Sequence, residues 1–563
     1  MQTIVDLIEE SCRKFPDKAA LRHKVDGVWR EIPYRILGAT SDRVAAGLVR
    51  HGFAAGDHAA LLAPSSPRWV IAYLGILKAG GIVIPIDKEL KSNELRHILT
   101  DCGARVLFTD RPCFDTVLEI VHHVSSLERT VTLNPLPLHG CDPTPFSPIP
   151  PVCNELARQG RLLTLDLLLH DAQHHSVPRG PEETAVILYT SGTTGRSKGA
   201  MLSHANIVSN IRGATAHFKL DGTIHTLSFL PINHVFEQVC GVLLPLSLGG
   251  TVSLCESLKK LGENLTEVKP TFFLGVPAVF RMIHDRIMKN VGARRLSRLL
   301  FSFSATRPLV TAKIRETFGA GTIFISGGAA LDPAVAEGLG RLGLTIYQGY
   351  GITETAPVIA AECPGRKRPG TVGRALPDVE VMIDQPNEEL VGEVLVKGPN
   401  VMQGYYRDPQ ATAEVLTDGW YRTGDLGRLD PDGFLTICGR VKNLIVTPNG
   451  KNVYPEEVEN ELLKSPYIAE VMVYGHEVAP STEEIRAIIH PDREALDEYG
   501  RKEGKCPVTF ADVDALLRAE VSAACEGLAA YKRVRKFTIR EDEFPKTTTR
   551  KIKRFEMDVR PQP

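Results

Sequence analysis

Across 563 residues the sequence shows no excess of either charge: 66 Lys and Arg stand against 67 Asp and Glu, for a formal net charge of −1. A chain-wide basic field that recruits nucleic acid or an anionic membrane is therefore excluded, and any charged ligand must be met by a local constellation. Paired cysteines are missing too. The eleven cysteines contain no C-x-x-C pair and no metal-finger spacing, and their odd number favours free thiols in a reducing cytoplasm. The opening MQTIVDLIEESCRKFPDK carries acids where a signal peptide needs cations and then an apolar run, so secretion is not expected. Nor is there an uninterrupted apolar stretch of membrane-spanning length. The most apolar long window, Val70 to Ile86, is broken by Lys78, Gly80, Gly81 and Pro85, and reads as a buried helix running into a buried strand. Internal repeats and low-complexity tracts are absent.

What is present is ample apolar material, 43 % of residues, in a chain too long for one ordinary core. From about residue 57, apolar strands (58–63, 82–86, 105–109) alternate with helices. One helix begins at Ser66-Pro67, and another is capped by Ser92 with Leu95, Ile98 and Leu99 at helical spacing. The alternation resumes after residue 184, with strands near 186–189, 225–230, 251–254, 271–276 and 322–326. This predicts two αβ lobes with parallel-rich sheets covered by helices. Between them, residues 134–151 hold seven prolines in eighteen positions, which excludes regular helix and predicts a connector. From 368 to 438 short strands with Gly and Pro turns predict a small β-barrel-like lobe. After Arg440, strands at 444–447, 470–474 and 484–489 and helices at 455–463 and 510–524 predict a small α+β domain.

One segment stands out chemically. YTSGTTGRSKGAML, residues 189–202, follows the apolar run 185–188 with a loop rich in Gly, hydroxyls and cations. Such loops wrap polyphosphate, because backbone donors and small side chains approach closely while a cation offsets charge. The P-loop pattern G-x-x-x-x-G-K-[ST] does not fit. Gly192 and Gly195 are three apart, Lys198 lies three beyond Gly195, and Gly199 follows where Ser or Thr is required. On composition alone a polar surface loop is as good a reading.

The stretch from Thr190 through Ser191, Gly192, Thr193, Thr194 and Gly195 to Lys198 and Gly199 resembles the phosphate loop of the adenylate-forming superfamily: acyl-CoA synthetases, peptide-synthetase adenylation domains and luciferases. Further motifs of that family follow in order, so the resemblance covers essentially the whole chain. LPINHVFEQ supplies His234, beside the carboxylate substrate. SGGAAL supplies Gly328, Ala329 and Ala330, along the adenine and the substrate's carboxyl end. YQGYGITETAP supplies Tyr350 to stack on adenine, Thr353 for the α-phosphate and Glu354 for magnesium. GWYRTGDLG places Asp425 on the ribose hydroxyls, with Ile437 and Arg440 as further nucleotide contacts. GRVKNLIVTPNGKNVYPEEVE places Lys442 as a hinge residue and Gly450 on the thiol's path, and FPKTTTRKIKR places Lys551 as the catalytic lysine. The family pattern has Gly before that lysine where this chain has Arg550, and Lys546 and Lys553 are alternative cations nearby.

The resemblance implies an N-terminal adenylation domain (1–439), a hinge (440–442) and a mobile C-terminal α+β domain (443–563). It implies ATP and a fatty acid, judged long-chain, as substrates, with Mg2+ held by Glu354 and Thr194, and CoA as the acyl acceptor. Lys198 is expected on the β- and γ-phosphate side. Val276, Pro277, Phe236 and the small residues 327–330 are expected to leave an apolar tunnel for the alkyl chain. Glu237 is the one acid near Phe236 and has no assigned direction. A carrier-protein acyl acceptor, an aryl or medium-chain acid, and a non-catalytic nucleotide sensor are the competing readings. No nucleic-acid partner and no transmembrane segment are expected. A cytoplasmic protein, transient contact with the inner membrane face and a homodimer are all compatible with the composition.

Overall fold

The computed structural model describes residues 2–133, 159–169, 177–190, 197–293, 299–301, 303, 305–447, 451–479, 482–546 and 552–557. The expected proline-rich connector at 134–151 lies outside them. The chain divides into two compact units, Met1–Glu380 with Val396–Tyr421, and Val381–Leu395 with Arg422–Pro563.

The first unit holds two parallel-rich sheets. In the eight-stranded one, Ile82–Pro85, His58–Leu62, Val106–Thr109, Arg129–Thr132 and Leu162–Thr164 run parallel, while Lys198–Ser203 folds back antiparallel on Thr184–Thr190. The expected strands at 58, 82 and 105 are its centre. They read as continuous apolar runs because both faces are covered. The helix Pro67–Lys78 starts where Ser66 accepts the Trp69 N–H and Pro67 occupies the first helical turn. Lys78, which interrupts the apolar window, is buried with its ammonium 2.5 Å from Asp42, so the cation is paired rather than solvated. Among the described residues no helix is long and apolar enough to cross a membrane.

Ser92 corrects one expectation. It is the first helical residue of Ser92–Cys102, and its hydroxyl binds Glu119. The cap position is Lys91, whose N–H is taken by Glu94 at 3.1 Å. Glu94 thus reaches back to the backbone N–H of the cap residue, a contact in which the Ser92 hydroxyl takes no part.

The nine-stranded sheet runs Arg374–Ala375, Val358–Ala361, Ile346–Gly351, Ile323–Ser326, Phe272–Gly275, His225–Ser228, Thr251–Leu254, Ala19–Val25, Val28–Pro33. On one face Leu227, Phe273 and Phe324 pack under the helices Leu261–Val268 and Pro277–Ala293, and each fully buried large side chain there contributes about 1.5–3 kcal/mol. The other face is closed in part by Phe236–Leu243, which winds as a π-helix. π-turns are rare and concentrate at functional sites.

The small β lobe is a five-stranded sheet of short strands between Glu380 and Arg440. In the second unit Ile468–Ala479 pairs antiparallel with Thr482–Pro491, which runs parallel to Lys536–Ile539. The helices Pro455–Leu462 and Phe510–Glu526 bury Val458, Leu462, Leu517 and Val521 on this sheet. The α+β tail is as expected. The strand at 444–447 is shorter than expected, Ile445–Val446, pairing with Asn452–Val453.

Candidate active site

The phosphate-type loop is anchored at both ends. Thr190 and Lys198 face each other in the antiparallel ladder, and Tyr189 faces Gly199. A Cβ on Gly199 would lie 2.7 Å from the Ile187 side chain, so only glycine lets the two strands close here. Ser191, Gly192, Thr193, Thr194 and Gly195, which form the loop itself, lie outside the described residues.

Beside that base stands the strand Ile346–Gly351 and the turn after it, which carry Tyr350, Thr353 and Glu354. The turn is held from several sides. Asn210 and Asn400 each donate to the carbonyls of Thr355 and Val358, at 2.8–3.4 Å. A Cβ on Gly351 would fall 2.0 Å from the Pro357 carbonyl oxygen, so the chain doubles back on itself at this glycine. The fixed turn aims Glu354 at Tyr405, whose hydroxyl donates to its carboxylate at 3.0 Å. Burial, and then the charge of Glu354, push the Tyr405 phenol upward, so it remains a neutral donor. The Lys198 ammonium sits 5.3 Å over the same ring. Tyr405 thus links the cation at the loop's base to the acid on the opposite turn.

The SGGAAL segment continues the strand Ile323–Ser326, and Gly328 there has φ +82, in the left-handed region that a side chain disfavours. Gln348 ties this turn to the neighbouring strand. Its side-chain oxygen accepts the Leu331 N–H at 3.2 Å, and its amide donates to the Thr371 carbonyl at 3.2 Å. Gly328, Ala329 and Ala330 are left exposed. Phe236 lies against Gly327, 3.0 Å from where a Cβ would be, and Val276 lies 3.7 Å from the corresponding point on Gly328. These contacts bring together the apolar residues expected around an alkyl chain.

His234 stands just before the π-helix, its Nε2 4.0 Å from Asp87. Glu237 now has a direction. It is 2 % exposed and lies along the helix over Gly241, where a Cβ would come within 2.6 Å of its carboxyl. Its carboxyl lies beside Ser228 on the strand His225–Ser228. Burial raises its carboxyl to about 8, the nearby Ser228 hydroxyl offsetting this in part, and its Oε1 has no hydrogen-bond partner among the described residues.

In the second unit Asp425 is buried and Arg440 faces it across the ladder, Nε to Oδ1 2.8 Å. The two expected ribose contacts are therefore brought together, with Ile437 on the same strand opposite Gly427. Lys442 is exposed on the 3-10 turn Val441–Asn443. Gly450 and Lys551 lie outside the described residues. The alternative lysines are engaged: Lys546 pairs with Glu470 and Glu543, and Lys553 with Glu556 at 2.8 Å. Lys532 and Arg554 are also paired, with Glu457 and Glu459, so the ten Lys and Arg of 532–554 are partly consumed within the unit. Among the described residues no group of three or more His, Cys, Asp or Glu could hold a metal ion. A single carboxylate such as Glu354 suits Mg2+, which keeps waters and shares its shell with phosphates.

Tyr405, Gln348, Asn210 and Asn400 escape the sequence reading. The GYY run after Met402 and two Asn inside apolar stretches are the only signals, and neither points to a partner.

Two parallel-rich sheets, a hydroxyl-rich loop closed by Thr190 and Lys198, and an acid fixed beside it define a nucleotide-handling α/β enzyme. A profile described as AMP-binding enzyme matches residues 8–406, and the chain belongs to that family. The long-chain-fatty-acid–CoA ligase FadD15 of Mycobacterium bovis is 30 % identical, over 98 % of this chain and 94 % of its own. The long-chain-fatty-acid–CoA ligase of Bacillus subtilis is 28 % identical, over 89 % and 88 %. Among solved structures, ATP-bound MatB from Rhodopseudomonas palustris matches with a TM-score of 0.75 at 27 % identity, covering 98 % of both chains.

Proposed function

We propose that this protein is an AMP-forming fatty acid–CoA ligase. It joins a long-chain carboxylate to the AMP moiety of ATP, releases pyrophosphate, and passes the acyl group to the thiol of CoA. The observation that carries this reading is the meeting of Lys198, Tyr405 and Glu354 at the base of the 191–197 loop.

A carboxylate is a poor acyl donor because its leaving group is oxide, and AMP transfer replaces that with a good one. The carboxylate oxygen attacks the α-phosphorus in line and pyrophosphate departs, so negative charge crowds at the phosphates. Lys198 offsets charge on the β- and γ-phosphate side, and the donors of residues 190–195 hold the chain of phosphates. Glu354 and Thr194 would hold Mg2+, which supplies charge neutralisation on the leaving pyrophosphate. Tyr350 stacks on adenine, Thr353 meets the α-phosphate, and Asp425 with Arg440 exchanges part of their mutual ion pair for the ribose. Lys551 bridges carboxylate and α-phosphate. The apolar residues around Gly327 and Gly328 take the alkyl chain.

In the second step the CoA thiol attacks the acyl carbon and AMP leaves. Lys551 and Gly450 serve different steps, so the domain after the 440–442 hinge turns between two poses about Lys442. ATP, CoA and free thiols suit the cytoplasm.

Pyrophosphate release measured over acids from acetate to C18 and over benzoates, with CoA or a holo carrier protein, tests this reading. Palmitate-dependent release with acyl-CoA as product is expected. Release without acids, or acylation of the carrier protein alone, overturns it. Lys551→Ala should lose adenylate formation yet keep thioester formation from supplied acyl adenylate, and Gly450→Leu should do the reverse. Equal loss of both half-reactions in both variants removes the two-pose mechanism.

A further inference from the structure

The helix Ser92–Cys102 ends against its own dipole. Asp101 stands in its last turn, which holds no basic residue, although the carbonyl end of a helix favours cations and disfavours an anion. Two distant segments meet that residue. Its carboxylate accepts the hydroxyl of Tyr189, 88 positions on, and its carbonyl accepts an N–H of Arg407 at 3.2 Å, 306 positions on. Neither contact is needed to end the helix. Gly103, at φ +63, already closes it with an N–H bonded to the carbonyls of Leu99 and Thr100.

Both segments lead to the candidate phosphate site. Tyr189 immediately precedes Thr190, which faces Lys198 across the ladder. The Tyr189 ring lies over Gly199, where a Cβ would come 3.2 Å from its Cζ. Burial, and then the bond to Asp101, push the phenol upward, so it stays a neutral donor. From the other side Tyr406 donates its N–H to the Gly199 carbonyl at 2.7 Å. Tyr405, one residue earlier, pairs with Ala200 and carries the contacts to Glu354 and Lys198. The Tyr406 ring is held between the Arg407 guanidinium at 5.0 Å and the His58 ring at 5.3 Å. Arg407 has φ +53, a left-handed conformation that persists in a residue with a side chain only where its surroundings hold it. One residue thus braces the strand entering the loop and the segment that carries Tyr405, and the spacing of Lys198 from Glu354 depends on both.

We infer that Asp101 is a positioning residue for the phosphates of the nucleotide, acting through Tyr189 on the base of the loop and through Arg407 on Tyr405. With the phenol fixed, Thr190 and Lys198 hold their spacing before a nucleotide arrives, so less ordering is required when the β- and γ-phosphates bind. This rests on the reading of residues 190–195 as a phosphate loop, and not on the identity of the acid. AMP lacks those two phosphates, so the brace serves ATP and not AMP.

Calorimetric titration of the full chain with ATP and Mg2+, and separately with AMP, tests this without acid, CoA or turnover. Tyr189→Phe keeps the ring over Gly199 and removes its hydroxyl donor. It should weaken ATP binding about tenfold, as loss of a hydrogen bond to a charged group does, and AMP binding less than about twofold. Asp101→Ala deletes the same contact, so it should match Tyr189→Phe, and the double variant should bind no more weakly than either single one. Asp101→Asn keeps an acceptor for the phenol and should stay within about threefold of the wild type. A lowered thermal midpoint with unchanged ATP affinity in Tyr189→Phe overturns the inference, as does equal weakening of ATP and AMP, the mark of a merely structural pair. If Asp101→Ala fails to fold, Tyr189→Phe and Asp101→Asn decide between these results. The expected ATP and AMP pattern in a protein that forms no acyl-CoA leaves the brace standing and removes the fatty-acid reading.

Discussion

Glu237→Gln isolates the energetic consequence of a buried carboxyl on the π-helix Phe236–Leu243. Folding raises the group from its ordinary 4.5 to about 8, chiefly because burial disfavours the anion. Between those pH values the native state keeps a proton that the unfolded chain releases. The stability carried by the neutral carboxyl is therefore fully present below 4.5, declines by about 1.4 kcal/mol per pH unit as the pH rises, and is lost once the pH passes about 8. The whole loss is on the order of 5 kcal/mol, an upper bound because a relaxing core admits some water. Gln keeps the size and hydrogen-bonding capacity but cannot ionise, so the variant lacks this slope. Urea unfolding of both proteins at pH 5, 6, 7, 8 and 9 reads it directly, since every other titrating group is common to the two and cancels. The difference in unfolding free energy should move in favour of Gln by about 4 kcal/mol from pH 5 to pH 8 and then level off. A difference that stays constant across this range refutes the neutral-carboxyl account of Glu237.

Gly351→Ala forces a Cβ to 2.0 Å from the Pro357 carbonyl, so it should destabilise by about 3 kcal/mol in thermal unfolding and displace Glu354. Survival of wild-type stability would show that the turn can open. Tyr405→Phe removes the hydrogen bond to Glu354 while keeping the ring under Lys198, and should slow pyrophosphate release about tenfold and raise the Mg2+ concentration needed for half-maximal rate. An unchanged rate and Mg2+ dependence would separate Tyr405 from the chemistry. Asp425→Asn weakens the proposed hydrogen bonds to the ribose and should lower kcat/KM for ATP about 10- to 100-fold, with a smaller effect on kcat/KM for the acid. Equal loss towards both substrates would place Asp425 elsewhere.

The strands and helices from His58 to Thr109 are legible because their apolar runs and caps are local. The N-terminal hairpin is not. Ala19–Val25 and Val28–Pro33 join the nine-stranded sheet beside Thr251–Leu254, more than 200 residues away, and no local pattern carries that pairing. The π-helix at Phe236–Leu243 is equally hidden, since eight nearly all buried residues look the same in α and π winding. In the site, motif residues such as Glu354 and Asp425 are legible through the family resemblance, and the Asp425–Arg440 pair is consistent with their expected shared duty. The groups that hold them, Tyr405, Gln348, Asn210 and Asn400, are not legible. A polar residue's type does not say whether it faces water or a carbonyl 148 positions away, as Asn210 faces Val358. Ser92 shows the same limit on a smaller scale, because its residue type suits a cap, yet it is the first helical residue and Lys91 holds the cap position with Glu94 on its N–H.

Transfer of oxygen from the carboxylate to AMP tests the proposed chemistry most directly. With palmitate labelled by 18O in both carboxylate oxygens, ATP and CoA, attack on the α-phosphorus leaves one labelled oxygen on the AMP released when the thiol takes the acyl group. AMP carrying a single 18O, with unlabelled pyrophosphate, is the expected result. ADP accompanied by labelled inorganic phosphate, or AMP without label, contradicts an acyl-adenylate mechanism.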